Sequence, residues 1–379
     1  MSCAGRRGGE ASVTVATIDE IRAQIDEIDK QLVALLDRRA SLAKDIGKAK
    51  VAEGRSTFFD ASRQRRVIAN AQAASDGTFP RDAIRAVFVE IMSASLQLEK
   101  PPTVGYLGPE ATYSHVASLS EFGQSVVHQP FSSFADIFVA VDRDWIDYGV
   151  VPIENSTHGV LHSTLDLFLD FDLQIVSEIY QPIHHNLISR NPLERIRTIY
   201  SKAEPFQQCQ IWLKQKLPGV QLIEVSSTAK GVEMARDRDY AAAIGPDVAA
   251  RKYNVPIQAA NIEDLKDNAT RFVVIGKQHS APTGNDRTSL MVSIDDRPGA
   301  LYELLRPLHD RGINLTKIES RPTRRKAWDL VFFMDMLGHK DEAPLSEALE
   351  ELRRVSKSLR VMGSYPRDSR GPETLLSTQ

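Results

Sequence analysis

Residues 18–50, IDEIRAQIDEIDKQLVALLDRRASLAKDIGKAK, decide the architecture of the first segment. Apolar residues fall at Ile21, Ile25, Ile28, Leu32, Leu35, Leu42 and Ile46. Steps of three and four recur along this run, a spacing that only a helix gathers on one side. At 1.5 Å per residue the helix would be about 50 Å long. A small domain cannot cover that length alone, so a second copy of the chain is expected to supply the other wall. The same seam has one offender. Arg39 lies on the line through Ile25, Leu32 and Ile46, where a guanidinium is costly unless an anion meets it. Lys50 lies eleven residues on, about three turns, and shares that face. From Arg38 to Arg66 there are nine Lys/Arg (38, 39, 44, 48, 50, 55, 63, 65, 66) and three acids (Asp45, Glu53, Asp60), a surplus of six. Two readings fit: Arg39 paired with an internal carboxylate on an otherwise solvated helix, or a cationic pocket for a small di-acid, which Arg grips bidentately.

Working outward, the full chain of 379 residues has room for two or three domains. Lys+Arg 47 against Asp+Glu 50 leaves a net charge of −3, which argues against a dedicated nucleic-acid binder. No apolar run approaches the ~20 residues of a membrane span. Cys3 and Cys209 are the two cysteines, too few for a disulfide framework, so a reducing, cytoplasmic setting is expected. Residues 1–17 lack the apolar core of a secretory signal and read as a disordered tail, with a short transit peptide as the alternative.

Helical stretches near 60–74 and 81–99 complete an all-α segment, 18–100, that ends at Lys100-Pro101-Pro102. Beyond it, over 103–279, short β-rich runs (Val104–Leu107, Tyr148–Ile153, Leu173–Ile179, Thr198–Tyr200, Gln221–Val225, Ala241–Ile244, Phe272–Ile275) alternate with helical ones (Phe134–Val141, Gln207–Lys216, Ala229–Arg236). That alternation predicts an α/β unit with mostly parallel sheet, as one domain or two lobes. Residues 280–287, SAPTGNDR, read as a polar linker. Residues 287–366 give the order βαββαβ of an α+β ferredoxin-like domain, and 367–379 a second disordered tail.

Gly108-Pro109-Glu110-Ala111-Thr112-Tyr113-Ser114 follows a strand and opens a helix, a place where backbone N–H groups receive anions. It is neither a Walker A nor a GxGxxG sequence, so nucleotide binding has no support. Val151–Gly159 (VPIENSTHG) puts polar groups directly after a strand. His158 and His162 stand four apart, but without a third ligand they do not argue for a metal. Ser93 and Gln97 also stand four apart, on one face of the third helix.

The string Ile21-Arg22, Ile25-Asp26, Ile28-Asp29, Leu35-Leu36, Arg38-Arg39, Gly47-Lys48-Ala49-Lys50 resembles the all-helical chorismate mutases. The resemblance implies an intertwined homodimer whose pockets draw on both chains. Carried over by position, Arg22 (reaching the partner's site), Arg39, Lys50 and Arg63 are the pocket cations, and Asp60, Gln64, Ser93 and Gln97 complete it. Lys50 and Gln97 would face the ether oxygen on which charge builds, and no cofactor or metal is implied. Many relatives have Glu where Gln64 stands.

Residues 103–279 resemble prephenate dehydratase through GPEATYS, VPIENSTHG, Ser201 with Gln208-Cys209 and Trp212, Ala243-Ile244-Gly245 and Thr270-Arg271-Phe272. This implies two lobes similar to periplasmic binding proteins. Thr270 would be the critical residue, with Thr112, Glu154, Asn155, Ser201, Gln208 and Arg271 as further contacts. The family usually has Ser where Thr157 and His158 stand. Pro298-Gly299-Ala300-Leu301-Tyr302 and Glu319-Ser320-Arg321-Pro322 resemble the effector motifs of the ACT domain, implying a phenylalanine site around Gly299, Ala300, Leu301, Asn314, Glu319, Ser320, Arg321 and Pro322. The expected whole is a bifunctional chorismate mutase–prephenate dehydratase under phenylalanine feedback. Two alternatives stay open: a dehydratase whose mutase-like segment only dimerises, and a non-catalytic amino-acid sensor.

Overall fold

The computed structural model describes residues 17–54, 59–322 and 330–371. Cys3, and the tail expected before Thr17 apart from that residue, lie outside these segments. Three helices open the chain: α1 (Ile18–Ala52), α2 (Ala61–Ala74) and α3 (Arg81–Glu99). Thr17 and Glu20 form a reciprocal capping box that starts α1. Asp60 caps α2 by accepting from the Arg63 N–H at 2.9 Å. Only Ala43 and Gly47 of α1 are buried. There α1 crosses α3 closely enough that a Cβ on Gly47 would lie 3.2 Å from Glu99. The rest of the seam, from Ile21 to Ile46, is exposed.

The middle of the chain forms two lobes. The first contains β1 (Thr103–Leu107), α4 (Tyr113–Phe122), β2 (Val127–Phe131), α5 (Phe134–Asp142), β3 (Tyr148–Asn155), β4 (Gly159–Val160), α6 (His162–Asp170) and β5 (Gln174–Pro182). The chain then crosses to the second lobe: β6 (Asn186–Ile188), β7 (Thr198–Ser201), α7 (Ala203–Gln208), α8 (Gln210–Lys216), β8 (Gln221–Glu224), α9 (Thr228–Arg236), β9 (Ala241–Gly245), α10 (Asp247–Tyr253) and β10 (Ile257–Ala259). It returns through β11 (Ala269–Gly276), which inserts between β3 and β5, antiparallel to both. The sheet orders are β2-β1-β3-β11-β5, with β4 beside β3, and β10-β6-β9-β7-β8.

The expectation of a mostly parallel sheet is therefore corrected. The returning strand runs against its neighbours, and β6 pairs antiparallel with both β9 and β10. The helix expected over Gln207–Lys216 is two short ones, separated at Cys209. Strand β2 had no sequence expectation; it is a half-exposed edge carrying His128 and Pro130, where Pro is tolerated.

The last domain has β12 (Asp286–Ser293), α11 (Ala300–His309), β13 (Leu315–Pro322), β14 (Leu330–Leu337), α12 (Leu345–Val355) and β15 (Ser358–Pro366). Its sheet order β13-β14-β12-β15 is that of the ferredoxin-like fold. Val331, Phe333, Met362 and Tyr365 continue the apolar core of the first lobe, so this domain is seated on the lobe and not tethered beside it. Residues 280–287, expected as a polar linker, are held against the lobe: Ser280 Oγ donates to the Val176 carbonyl at 2.8 Å, and Asp286 and Arg287 are buried. Residues 367–371 are also placed, contrary to the expectation of a tail from 367. Asp368 is buried and accepts from the Tyr180 N–H at 2.9 Å.

Candidate active sites

The helical domain gathers its cations where α1 crosses α3. Arg39 Nη1 donates to Ser95 Oγ at 2.5 Å, and Lys50 Nζ to Glu99 Oε2 at 2.8 Å. Burial, and then the charge of Arg63, lower the pKa of Arg39. Glu99 opposes that shift and also pairs with Lys50, so three cations gather around one acid, a surplus that favours a further anion among them. Arg22 is elsewhere: it is seventeen residues up the helix from Arg39, about 26 Å at the helical rise, and its ion pair with Asp19 is exposed.

Several expected mutase residues face other ways. Ser93 accepts from the Ser125 N–H at 3.0 Å, at the junction with the dehydratase-like lobe. Gln97 is exposed. The residues that meet the cations are Ser95 and Glu99, two positions further along α3. Gln64 is turned inward, with Nε2 donating to the Glu121 carbonyl at 2.7 Å. Asp60 serves as the cap of α2. The sequence held the signal for Ser95 and Glu99, since they too stand four apart.

The second site is a cleft of about 440 Å³ between the lobes. Thr112 comes from the start of α4, Asn155 from the end of β3, Gln208 from the end of α7 and Thr270 from β11. Asn155 Nδ2 donates to Thr270 Oγ1 at 2.9 Å and to Asn268 Oδ1 at 3.0 Å. With an acceptor site of Thr270 so used, its O–H is available to the cleft. Asn155 Oδ1 accepts from the N–H groups of Thr157 and His158, both at 3.0 Å, which fixes the amide orientation. Gln208 bridges the lobes through His158 at 3.2 Å and also meets His185 at 2.5 Å. Burial holds the His185 pKa below its ordinary value, and a neutral ring keeps one nitrogen as acceptor.

Two helices aim their N-termini at this cleft from opposite lobes. Thr112, Tyr113 and Ser114 open α4, and Ser226, Ser227 and Thr228 open α9. Ser227 caps α9 by accepting from the Lys230 N–H at 3.0 Å. Paired N-termini favour carboxylates by partial positive charge and spare N–H groups. The Ser226–Thr228 end was missed in the sequence, although a Ser/Thr cluster between a strand and a helix is an N-cap signature. Phe134, Leu161, Ile183 and Phe272 give the cleft apolar walls.

Three expected contacts do not line this cleft. Ser201 is buried, donating to the Ile244 carbonyl at 2.8 Å, and so ties β7 to β9. Arg271 follows Thr270 on a strand and points to the opposite side. There Nε donates to Glu178 at 2.9 Å and Nη1 to Asp335 at 2.5 Å. Glu154 pairs with Lys317 at 3.3 Å on that same far side. The paired histidines separate too: His158 stays at the cleft, and His162 meets Glu319 at 3.0 Å.

In the C-terminal domain Gly299 starts α11 with φ 82°, a left-handed conformation that suits glycine. Ala300 is buried and Leu301 is exposed beside it. Asn314 is exposed, with its carbonyl accepting from the Leu337 N–H. On β13, Ser320 and Pro322 are exposed, while Arg321 pairs with Asp166 at 2.8 Å. Glu319 and Arg321 thus meet His162 and Asp166, one turn apart on α6.

Fold and sites together define an enzyme with two anion-receiving centres, one helical and one interlobar, and a regulatory-type domain packed behind the second. The comparisons agree segment by segment. Residues 21–100 match chorismate mutase type II, 104–280 prephenate dehydratase and 288–354 the ACT domain. A bifunctional chorismate mutase/prephenate dehydratase of Aquifex aeolicus is 44% identical over 355 residues, covering 92% of this chain and 98% of that one. The protein of the same description from Pseudomonas aeruginosa is 39% identical over 353 residues, 92% of this chain and 97% of that one. The crystal structure of prephenate dehydratase from Arthrobacter aurescens in complex with L-Phe superposes with TM-score 0.66 at 30% identity, covering 73% of this chain and 96% of that one. This chain belongs to the bifunctional chorismate mutase/prephenate dehydratase family. It converts chorismate to prephenate and prephenate to phenylpyruvate.

Proposed function

We propose that a cytoplasmic homodimer, or a larger assembly of such dimers, carries out both steps of phenylalanine synthesis and is inhibited by phenylalanine. The dimer reading is supported by α1, whose seam of large apolar residues is exposed in a single chain. In the mutase pocket Arg39 and Arg63 hold one carboxylate region of chorismate, and Arg22 of the second copy holds the other. The rearrangement is pericyclic, so catalysis is orientation plus stabilisation of charge on the ether oxygen. Lys50 donates to that oxygen. Ser95 steadies Arg39, and Glu99 sets the position of Lys50 before substrate arrives.

In the cleft, prephenate lies with its pyruvyl carboxylate between the N-termini of α4 and α9. The bond from the ring to its carboxylate breaks and releases carbon dioxide. The electron pair passes into the ring and the C–O bond to the ring hydroxyl breaks. That hydroxyl takes one proton and leaves as water. Thr270 donates the hydrogen bond that eases its departure, and Asn155 fixes Thr270. Thr112 and Gln208 complete the polar wall, and the apolar walls suit carbon dioxide and an aromatic product.

The observation that carries this reading is the Asn155–Thr270 hydrogen bond at 2.9 Å at the mouth of an anion-receiving cleft. The effector reading rests on the segments around Gly299 and Glu319–Pro322, and on the phenylalanine in the Arthrobacter protein. The test follows chorismate loss and phenylpyruvate formation together, with and without phenylalanine. Lys50→Ala is expected to lower prephenate formation at least tenfold and spare dehydration; Thr270→Val is expected to do the reverse. Loss of both activities in either variant would refute the separation of sites, and rates unmoved by phenylalanine would refute the feedback.

A further inference from the structure

Arg271 has no part in the cleft, yet it is the neighbour of Thr270 on β11 and one of the most enclosed charges in the molecule. It is 2% exposed. Besides Glu178 and Asp335, Nη2 donates to Tyr365 Oη at 2.9 Å. Asp335, on β14, also accepts from Ser289 Oγ of β12 at 2.5 Å, and Ser289 meets Tyr365 of β15 at 2.6 Å. Glu178 on β5 lies 3.3 Å from Arg287 of β12. Two buried cations and two buried acids therefore cancel across the boundary between the catalytic lobe and the C-terminal domain.

Each group depends on the others. Burial alone would raise the Asp335 pKa, but Arg271, Lys317 and Arg287 outweigh it and hold the carboxyl well below its ordinary range. Thr270 is paired with Asn155 on β3 and Gln181 on β5, and the β11 register against β3 shifts directly after Arg271, so Arg271 stands at the edge of the regular ladder that holds Thr270. The side-chain bonds of Arg271 to Glu178, Asp335 and Tyr365 fix the strand at that edge. Beside this joint lies a cavity of about 540 Å³ bordered by Arg271, Arg287, Lys317 and Asn268.

We propose that Arg271 is a positioning residue for Thr270, and that its counter-ion Asp335 makes dehydration conditional on the seating of the C-terminal domain. Strand β13 has a direct hand on the same joint. Lys317 pairs with Glu154, and Thr316 Oγ1 donates to the Asp335 carbonyl at 3.2 Å. A shift of β13 thus reaches Thr270 through one buried ion pair.

The proposal rests on the assignment of Thr270 to the leaving hydroxyl, and the test separates the two. In the full-length protein, kcat and KM for prephenate are measured for Asp335→Asn, Tyr365→Phe and Thr270→Val, with the mutase rate as a control for folding. Asp335→Asn is expected to lower dehydratase kcat at least tenfold, with KM within threefold and the mutase rate within twofold of wild type. Tyr365→Phe removes one hydrogen bond from Arg271 and should lower kcat two- to fivefold with the same pattern. If Asp335→Asn does not fold, Tyr365→Phe decides. A kcat within twofold of wild type, or a KM that rises as kcat falls, overturns the positioning role. An unimpaired Thr270→Val overturns the assignment beneath it.

Discussion

Arg22 and Lys50 lie on one helix but are expected to serve different pockets, which allows a complementation experiment with a calculable answer. They are 28 residues apart, about 42 Å along the helix, so one chain cannot bring both to a single substrate. Removing either cation takes a charged hydrogen bond from the substrate, a loss of about 1.5–3 kcal/mol. That is a fall of roughly 10- to 150-fold in mutase kcat/KM. Homodimers of Arg22→Ala and of Lys50→Ala should each show that fall. A heterodimer of the two, co-expressed with different tags and purified through both, contains one pocket with both defects and one with neither. Its mutase activity should therefore be half that of wild type, well above either parent, while prephenate dehydration is unchanged in all three. A heterodimer no better than its parents would refute the shared pocket and return Arg22 to the helix surface.

Further outcomes are expected. Ser95→Ala should lower mutase kcat/KM severalfold by releasing Arg39, whereas Gln97→Ala should leave it within twofold; the reverse ranking would reinstate Gln97. Glu99→Gln removes a carboxylate 2.8 Å from Lys50 and should tighten binding of the dianionic substrate, seen as a lower mutase KM. His115 supports the Gly108–Ser114 loop by accepting from the Ala111 N–H at 3.1 Å. Burial and then His128 push its pKa down to about 4. A histidine lowered on folding stabilises above its unfolded value near 6.5 and loses that contribution as pH falls through about 4. With solvent screening the effect is about 1 kcal/mol. Thermal midpoints of wild type and His115→Asn should converge towards pH 4, and parallel curves would exclude His115 as the source.

Much of this was legible in the sequence because it depended on periodicity and local chemistry. The long first helix, the βαββαβ tail and the strand bearing Thr270 all followed from such patterns. What escaped was phase. Spacing of four puts Ser93 with Gln97 and equally Ser95 with Glu99, and nothing in that spacing says which pair faces α1. The choice is made by packing: Gly123 leaves room for Ser93 against α4, which turns Ser95 and Glu99 to the cations. For Arg271 the information was present, since adjacent strand residues point to opposite faces. Thr270 and Arg271 could not both enter one cleft. Ser201 was beyond reach for another reason, because its use between β7 and β9 depends on a pairing that only the folded sheet creates.

The exposed seam of α1 has a consequence for how the two activities share one polypeptide. With two buried positions in 35 residues, that helix has almost no private core, so its persistence follows protomer concentration. The two lobes carry their own cores within one chain. Dilution should therefore silence the first reaction well before the second, making the ratio of the two rates a gauge of how much enzyme is present.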